Sequence, residues 1–109
     1  MLRNTPEDIY ALTLDLVKIP SFSATAGERA CAERIREHLA PLAAFSKRPE
    51  DLKLAPVPGS PCGSAVVTAL VRAEPPTSLT VILEGHLDVV DIEPYGPLKE
   101  VALDPEACT

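Results

Sequence analysis

The sequence predicts an α/β fold in which two amphipathic helices precede two or three strands of an incomplete sheet. Apolar residues recur at helical spacing within the first 42 positions, and two β-branched apolar runs follow at 65–71 and 79–83. Of the 109 residues, 30 are Leu, Ile, Val or Phe, which is enough apolar side chain to favour a folded chain over a disordered one. A single domain over 1–109 is the natural count at this length.

The first helix is predicted to begin at Thr5 and to end near Lys18. Thr5 can accept a hydrogen bond from a free backbone N–H, and Pro6 suits the first helical position. Pro20 disfavours helical geometry in the residue before it, which places the end of the helix just upstream. Four apolar residues then share one helical face: Ile9, Leu12, Leu16 and Val17.

A second amphipathic helix is predicted to follow the capping-box sequence that runs from Thr25 to Glu28. Pro41 marks its last turn or the position just beyond. His38 lies at the flank of the apolar stripe, where a boundary histidine is more common than a metal ligand or a base. The stripe itself consists of Cys31, Ile35, Leu39 and Leu42.

The strands are expected in the second half of the chain. Residues 45–64 form an irregular connection with at most one short strand around 52–57, because two prolines interrupt it. The apolar runs 65–71 and 79–83 are predicted as buried strands, separated by a clear turn at 74–78. So short a connection makes them antiparallel neighbours, with the helices free to cover one face of the sheet.

The net charge of −6 is concentrated in the last 31 residues, which hold seven acidic side chains and only Lys99 as a base. This distribution disfavours nucleic acid as a partner and favours cations, either metal ions or a positively charged substrate. An acidic surface kept for solubility is the simpler alternative. The sequence shows neither a signal-peptide core nor a long apolar run, so no membrane partner is expected.

The cysteines at 31, 62 and 108 are odd in number, widely spaced and without a C-x-x-C pair. Neither a disulfide framework nor a cysteine-rich zinc site is predicted, and a cytoplasmic location fits this usage. A catalytic cysteine has no local signature with either histidine.

One pair of residues suggests chemistry. His86 and Asp88 follow the second apolar run, and in extended backbone side chains two apart point to the same side. A carboxylate that holds one N–H of an imidazole fixes the tautomer that binds zinc through the other nitrogen. Gly85, just before the pair, would let the chain pass close to a metal or substrate. The alternative is that both residues merely satisfy hydrogen bonds at a strand end, without metal.

The surrounding sequence resembles a known superfamily. The run LTVILEGHLDVV at 79–90 is similar to the first metal-site motif of the co-catalytic zinc hydrolases that include aminoacylase, acetylornithine deacetylase and succinyl-diaminopimelate desuccinylase. The opening LTLDLVKIPSFSATAGERACAERIREHL at 12–39 is similar to their N-terminal segment. The tail GHLDVVDIEPYGPLKEVALDPEA at 85–107 looks most like arginine-utilisation proteins of the RocB type, although Asp91 replaces the proline that most relatives have there.

The resemblance implies the N-terminal portion of a zinc-exopeptidase-like α/β/α sandwich that hydrolyses amide bonds of N-acyl amino acids or small peptides. It implies His86 as a zinc ligand and Asp88 as the catalytic-site carboxylate that clamps its imidazole. The complete enzyme would hold two zinc ions, and the family's other ligands and its glutamate base are expected downstream of Thr109.

Alone, the chain is therefore expected to be inactive, to bind no zinc stably, to need the remainder of the catalytic domain as a partner, and to self-associate through an exposed sheet edge. A free-standing α/β binding or interaction module without metal is the alternative.

Overall fold

The computed structural model describes residues 5–107, so Cys108 lies outside the described residues. The predicted mixed α/β fold is confirmed. The described part contains three α-helices, two 3-10 helices and a two-stranded sheet. In chain order these are α1 (Pro6–Val17), α2 (Ala26–Leu39), α3 (Ala43–Ser46), a 3-10 helix (Pro49–Asp51), β1 (Leu52–Pro56), β2 (Ala65–Ala69) and a second 3-10 helix (Glu93–Val101).

Both long helices begin where their capping residues predict. Thr5 Oγ1 accepts a hydrogen bond from the backbone N–H of Asp8 at 3.2 Å, and Thr25 Oγ1 accepts from Gly27 at 3.3 Å. The predicted capping box at the start of α2 is not formed, however, because Thr25 Oγ1 accepts from Gly27 and not from Glu28. The Glu28 carboxylate accepts a 2.6 Å hydrogen bond from the hydroxyl of Ser64 and so ties α2 to the loop between the strands.

The two strands form an antiparallel hairpin with Leu52 opposite Ala69 and Pro56 opposite Ala65. Helix α2 packs against both strands of this hairpin. The small core lies between them, and its buried apolar residues are Cys31, Ala32, Phe45, Leu52 and Ala65. One face of α2 and one face of the hairpin therefore bury each other, as an α/β layer requires.

The predicted strand at 79–83 is wrong, and so is its antiparallel pairing with 65–71. Strand β2 ends at Ala69 and pairs with β1, the segment for which the sequence predicted at most a short strand. Residues 79–83 form no ladder with any part of 5–107, and their apolar side chains are exposed, from 72% at Leu79 to 92% at Leu83. A strand needs partners for its backbone N–H and C=O groups, and an apolar run alone does not supply them.

Two ion pairs fix the packing. Asp15 of α1 accepts hydrogen bonds from Arg34 Nε at 2.7 Å and pairs with His38 Nε2 at 2.6 Å, both on α2. Arg34 above all, and His38 next, lower the pKa of Asp15 to about 2. Buried Asp51 accepts from two nitrogens of Arg72 at 2.7 and 2.6 Å, which lowers its pKa too. His38, predicted as a boundary residue, thus joins the two helices.

None of the helices within residues 5–107 combines the length and the apolar character that a membrane crossing requires.

Candidate metal-binding site

His86 and Asp88 lie in the segment that meets the loop between α1 and α2, residues 18–25, which we call the α1–α2 loop. The backbone N–H of Val89 donates to Ser21 O at 2.9 Å, and the N–H of Ser23 donates to Val89 O at 3.0 Å. These two bonds form a parallel bridge between segments about 65 residues apart in sequence. The loop therefore supports the backbone that presents the two predicted site residues.

The α1–α2 loop can take this position because residue 27 has no side chain. A Cβ atom on Gly27 would lie 1.8 Å from the carbonyl oxygen of Pro20 and 3.2 Å from the Cα of Ser21. With glycine there, the loop folds directly over the first turn of α2. Ser21 is consequently buried, and its hydroxyl donates to the backbone oxygen of Leu87 at 2.8 Å.

The structure brings His86 and Asp88 together. His86 Nδ1 lies 2.9 Å from the backbone oxygen of Asp88 and 3.2 Å from its Oδ1. A backbone carbonyl only accepts hydrogen bonds, so Nδ1 carries a proton, and in the neutral form of the ring the lone pair is on Nε2. The His86 side chain is 85% exposed, which leaves Nε2 open to solvent.

The Asp88 carboxylate is held from its other side by the α1–α2 loop. The Ser23 hydroxyl donates to Asp88 Oδ2 at 2.7 Å, while Oδ1 faces His86. The hydrogen bond from Ser23 is the main cause that lowers the pKa of Asp88, and the nearby His86 adds to it. The carboxylate is therefore ionised at neutral pH and acts only as an acceptor.

The donor set fits one zinc ligand and its supporting carboxylate. A neutral imidazole with Nδ1 engaged by an acceptor is the usual form of a zinc-binding histidine. A catalytic zinc needs about three protein ligands, and residues 5–107 contain no group of three or more His, Cys, Asp or Glu side chains placed to hold a metal ion. The metal role of His86 and the catalytic role of Asp88 stay predictions.

Sequence reasoning missed the two serines of the α1–α2 loop and the reason for Gly27. Ser21 and Ser23 are two apart, and so are Leu87 and Val89, whose backbone oxygens lie near the two serine hydroxyls. This alternation of serines was visible in the "IPSFS" segment at 19–23. Nothing in that pattern indicates which distant segment the serines contact.

Comparison with known proteins identifies two similar sequences. The chain is 34% identical to Protein RocB of Bacillus subtilis (strain 168) over 103 residues, and 38% identical to the uncharacterized protein YqjN of the same organism over 101 residues. These matches cover 94% and 93% of this chain but only 18% of each relative. No protein-family model and no solved structure matches the chain. The chain therefore has a RocB-like relationship and spans 18% of the length of the curated relatives it matches.

Proposed function

We propose that this chain is the N-terminal part of a zinc-dependent peptidase or amidohydrolase, in which His86 is a zinc ligand and Asp88 holds its imidazole. The observation that supports this most directly is the position of His86 Nδ1, which lies 2.9 Å from the backbone oxygen of Asp88 and 3.2 Å from its Oδ1, while Nε2 faces solvent.

The proposed reaction is hydrolysis of an amide bond. The chemistry that zinc ions supply in such sites is a water of lowered pKa and a polarised scissile carbonyl. In this chain the backbone oxygen of Asp88 accepts the Nδ1 proton of His86 and orients the ring, and the negative carboxylate 3.2 Å away raises the basicity of the free nitrogen. The α1–α2 loop holds the backbone next to both residues through its two hydrogen bonds with Val89.

The other ligands and the general base are proposed to come from a remainder of the catalytic domain. The relatives are several times longer than this chain, since it spans 18% of each. Residues 79–83 expose four large apolar side chains that a larger domain would bury, each worth about 1.5–3 kcal/mol. Without that remainder, we expect the isolated chain to be inactive and to self-associate through this segment and the unpaired edges of the hairpin.

The proposed substrates are N-acyl amino acids or small peptides, with an arginine derivative favoured. Seven acidic residues against the single Lys99 in 79–109 suit a basic substrate, and the similarity to Protein RocB agrees with an arginine-utilisation context. The same charge distribution argues against nucleic acid. We propose the cytoplasm as the compartment, which suits an odd number of cysteines without C-x-x-C spacing.

The test uses the complete polypeptide, meaning this chain joined to the proposed remainder. Release of free amino acid from N-acyl amino acids and short peptides is measured before chelation, after chelation, and after zinc is added back. Activity that chelator abolishes and zinc restores supports the proposal.

His86→Ala should lose this activity, whereas the matched control His38→Ala, at a histidine that pairs with Asp15 between the helices, should keep it. Hydrolysis that survives both chelation and His86→Ala would contradict the proposal.

A further inference from the structure

We propose, on the basis of the proposed function, that Ser23 is a positioning residue that orients the Asp88 carboxylate toward His86. Nothing in the H-x-D pattern points to this serine, which lies 65 residues upstream of Asp88. The Asp88 carboxylate lies between the Ser23 hydroxyl and the Nδ1 of His86, with one of its oxygens near each.

The distances assign one partner to each carboxylate oxygen. Oδ2 accepts from Ser23 at 2.7 Å, and Oδ1 lies 3.2 Å from His86 Nδ1. Ser23 Oγ is also 3.3 Å from the backbone oxygen of Val89. A hydroxyl has one proton, and the shorter contact to a charged acceptor is the stronger of the two. Ser23 therefore gives its proton to Asp88.

The serine is itself held, so it can serve as a fixed reference. Its backbone N–H donates to Val89 O at 3.0 Å, and the neighbouring Ser21 is buried with its hydroxyl on Leu87 O. Asp88 is about two-fifths exposed and would otherwise be free to rotate into solvent. With Ser23 in place, Oδ1 stays on the side of the imidazole, and the metal-binding nitrogen of His86 points in one direction.

The first arm of the test measures this orientation without metal. Three-bond Hα–Hβ couplings of Asp88 report whether its side chain holds one staggered rotamer or averages over several. We expect a single rotamer in the wild-type chain and in Ser23→Thr, which keeps the hydroxyl, and averaging in Ser23→Ala. The matched control is Ser46→Ala, since the one bond of the Ser46 hydroxyl within residues 5–107 is a 3.5 Å contact with Ala43 O. Averaging in the wild type, or unchanged couplings in Ser23→Ala, would overturn the proposal.

The second arm measures zinc affinity of the complete polypeptide by competition with a chelator. Ser23→Ala should weaken binding by up to about tenfold, the lower end of the range for groups that support a metal ligand, and Ser23→Thr should restore it. In an Asp88→Ala background, Ser23→Ala should cause no further loss, because the serine acts through that carboxylate.

An equal loss in both backgrounds would show that Ser23 only packs the loop, and would overturn the positioning role. A wild-type protein that binds no zinc would instead defeat the proposed function, and the Asp88 couplings would still decide whether Ser23 orients the carboxylate.

Discussion

The close approach of the α1–α2 loop to the first turn of α2 predicts that Gly27→Ala destabilises the protein. Helix propensity alone predicts the opposite sign, since replacing glycine by alanine in a helix gains up to about 1 kcal/mol. In the structure the new methyl group would sit 1.8 Å from the Pro20 oxygen and 2.7 Å from the Pro20 carbonyl carbon. Both atoms belong to the backbone, so no side-chain rotation relieves the overlap.

The magnitude follows from the displacement required. The Pro20 oxygen must move from 1.8 Å to at least 3.0 Å from the methyl group, a shift of 1.2 Å or more. The neighbouring Ser21 oxygen accepts from Val89 at 2.9 Å, and a shift of that size breaks this bond. Overpacking of this kind costs about 1–3 kcal/mol. The α1–α2 loop would also leave Asp88, so Gly27→Ala should weaken the site as well as the fold.

The assay is urea unfolding with linear extrapolation, which reports the free energy of unfolding for each variant. The matched control is Gly85→Ala, because a methyl group at Gly85 meets no atom within 4 Å. We expect a loss of about 1–3 kcal/mol for Gly27→Ala and little change for the control. A Gly27→Ala protein as stable as the wild type would refute the account of the loop.

Two further predictions concern titratable groups. Asp15→Asn should reduce the free energy of unfolding at neutral pH. The pair with Arg34 lowers the pKa of Asp15 from 3.8 to about 2, so its stabilisation is present above pH 3.8 and is lost as the pH falls through 2. The difference between variant and wild type should therefore shrink as the pH falls from 3.8 toward 2 and disappear below pH 2, and a difference that does not shrink over this range would contradict the pairing. In native protein at mildly alkaline pH, Cys62 should react with iodoacetamide faster than Cys31, as followed by peptide mass spectrometry. The hydrogen bond with Ser60 above all lowers the pKa of Cys62, whereas burial raises that of Cys31, and equal rates would contradict this.

Features set by neighbours in sequence were predictable. Thr5 and Thr25 cap their helices because a cap depends on the next three residues only. His86 contacts Asp88 because the two residues are only two apart in sequence.

Features set by distant contacts were not predictable. The run 79–83 has the composition of a buried strand, but a strand also needs a ladder partner, and β2 takes β1 instead. The prolines that argued against a strand near 52–57 are tolerated because Pro56 sits at the end of β1, opposite Ala65. Ser23 reaches Asp88 across 65 residues, and no local pattern indicates such a contact.

The zinc content of the complete polypeptide, measured after dialysis for the wild type and for His86→Ala, decides whether His86 is a zinc ligand. We expect wild-type protein to retain zinc and His86→Ala to retain less, because the free Nε2 of that ring is the proposed ligand. Equal zinc in the two proteins, or none in the wild type, would contradict this expectation.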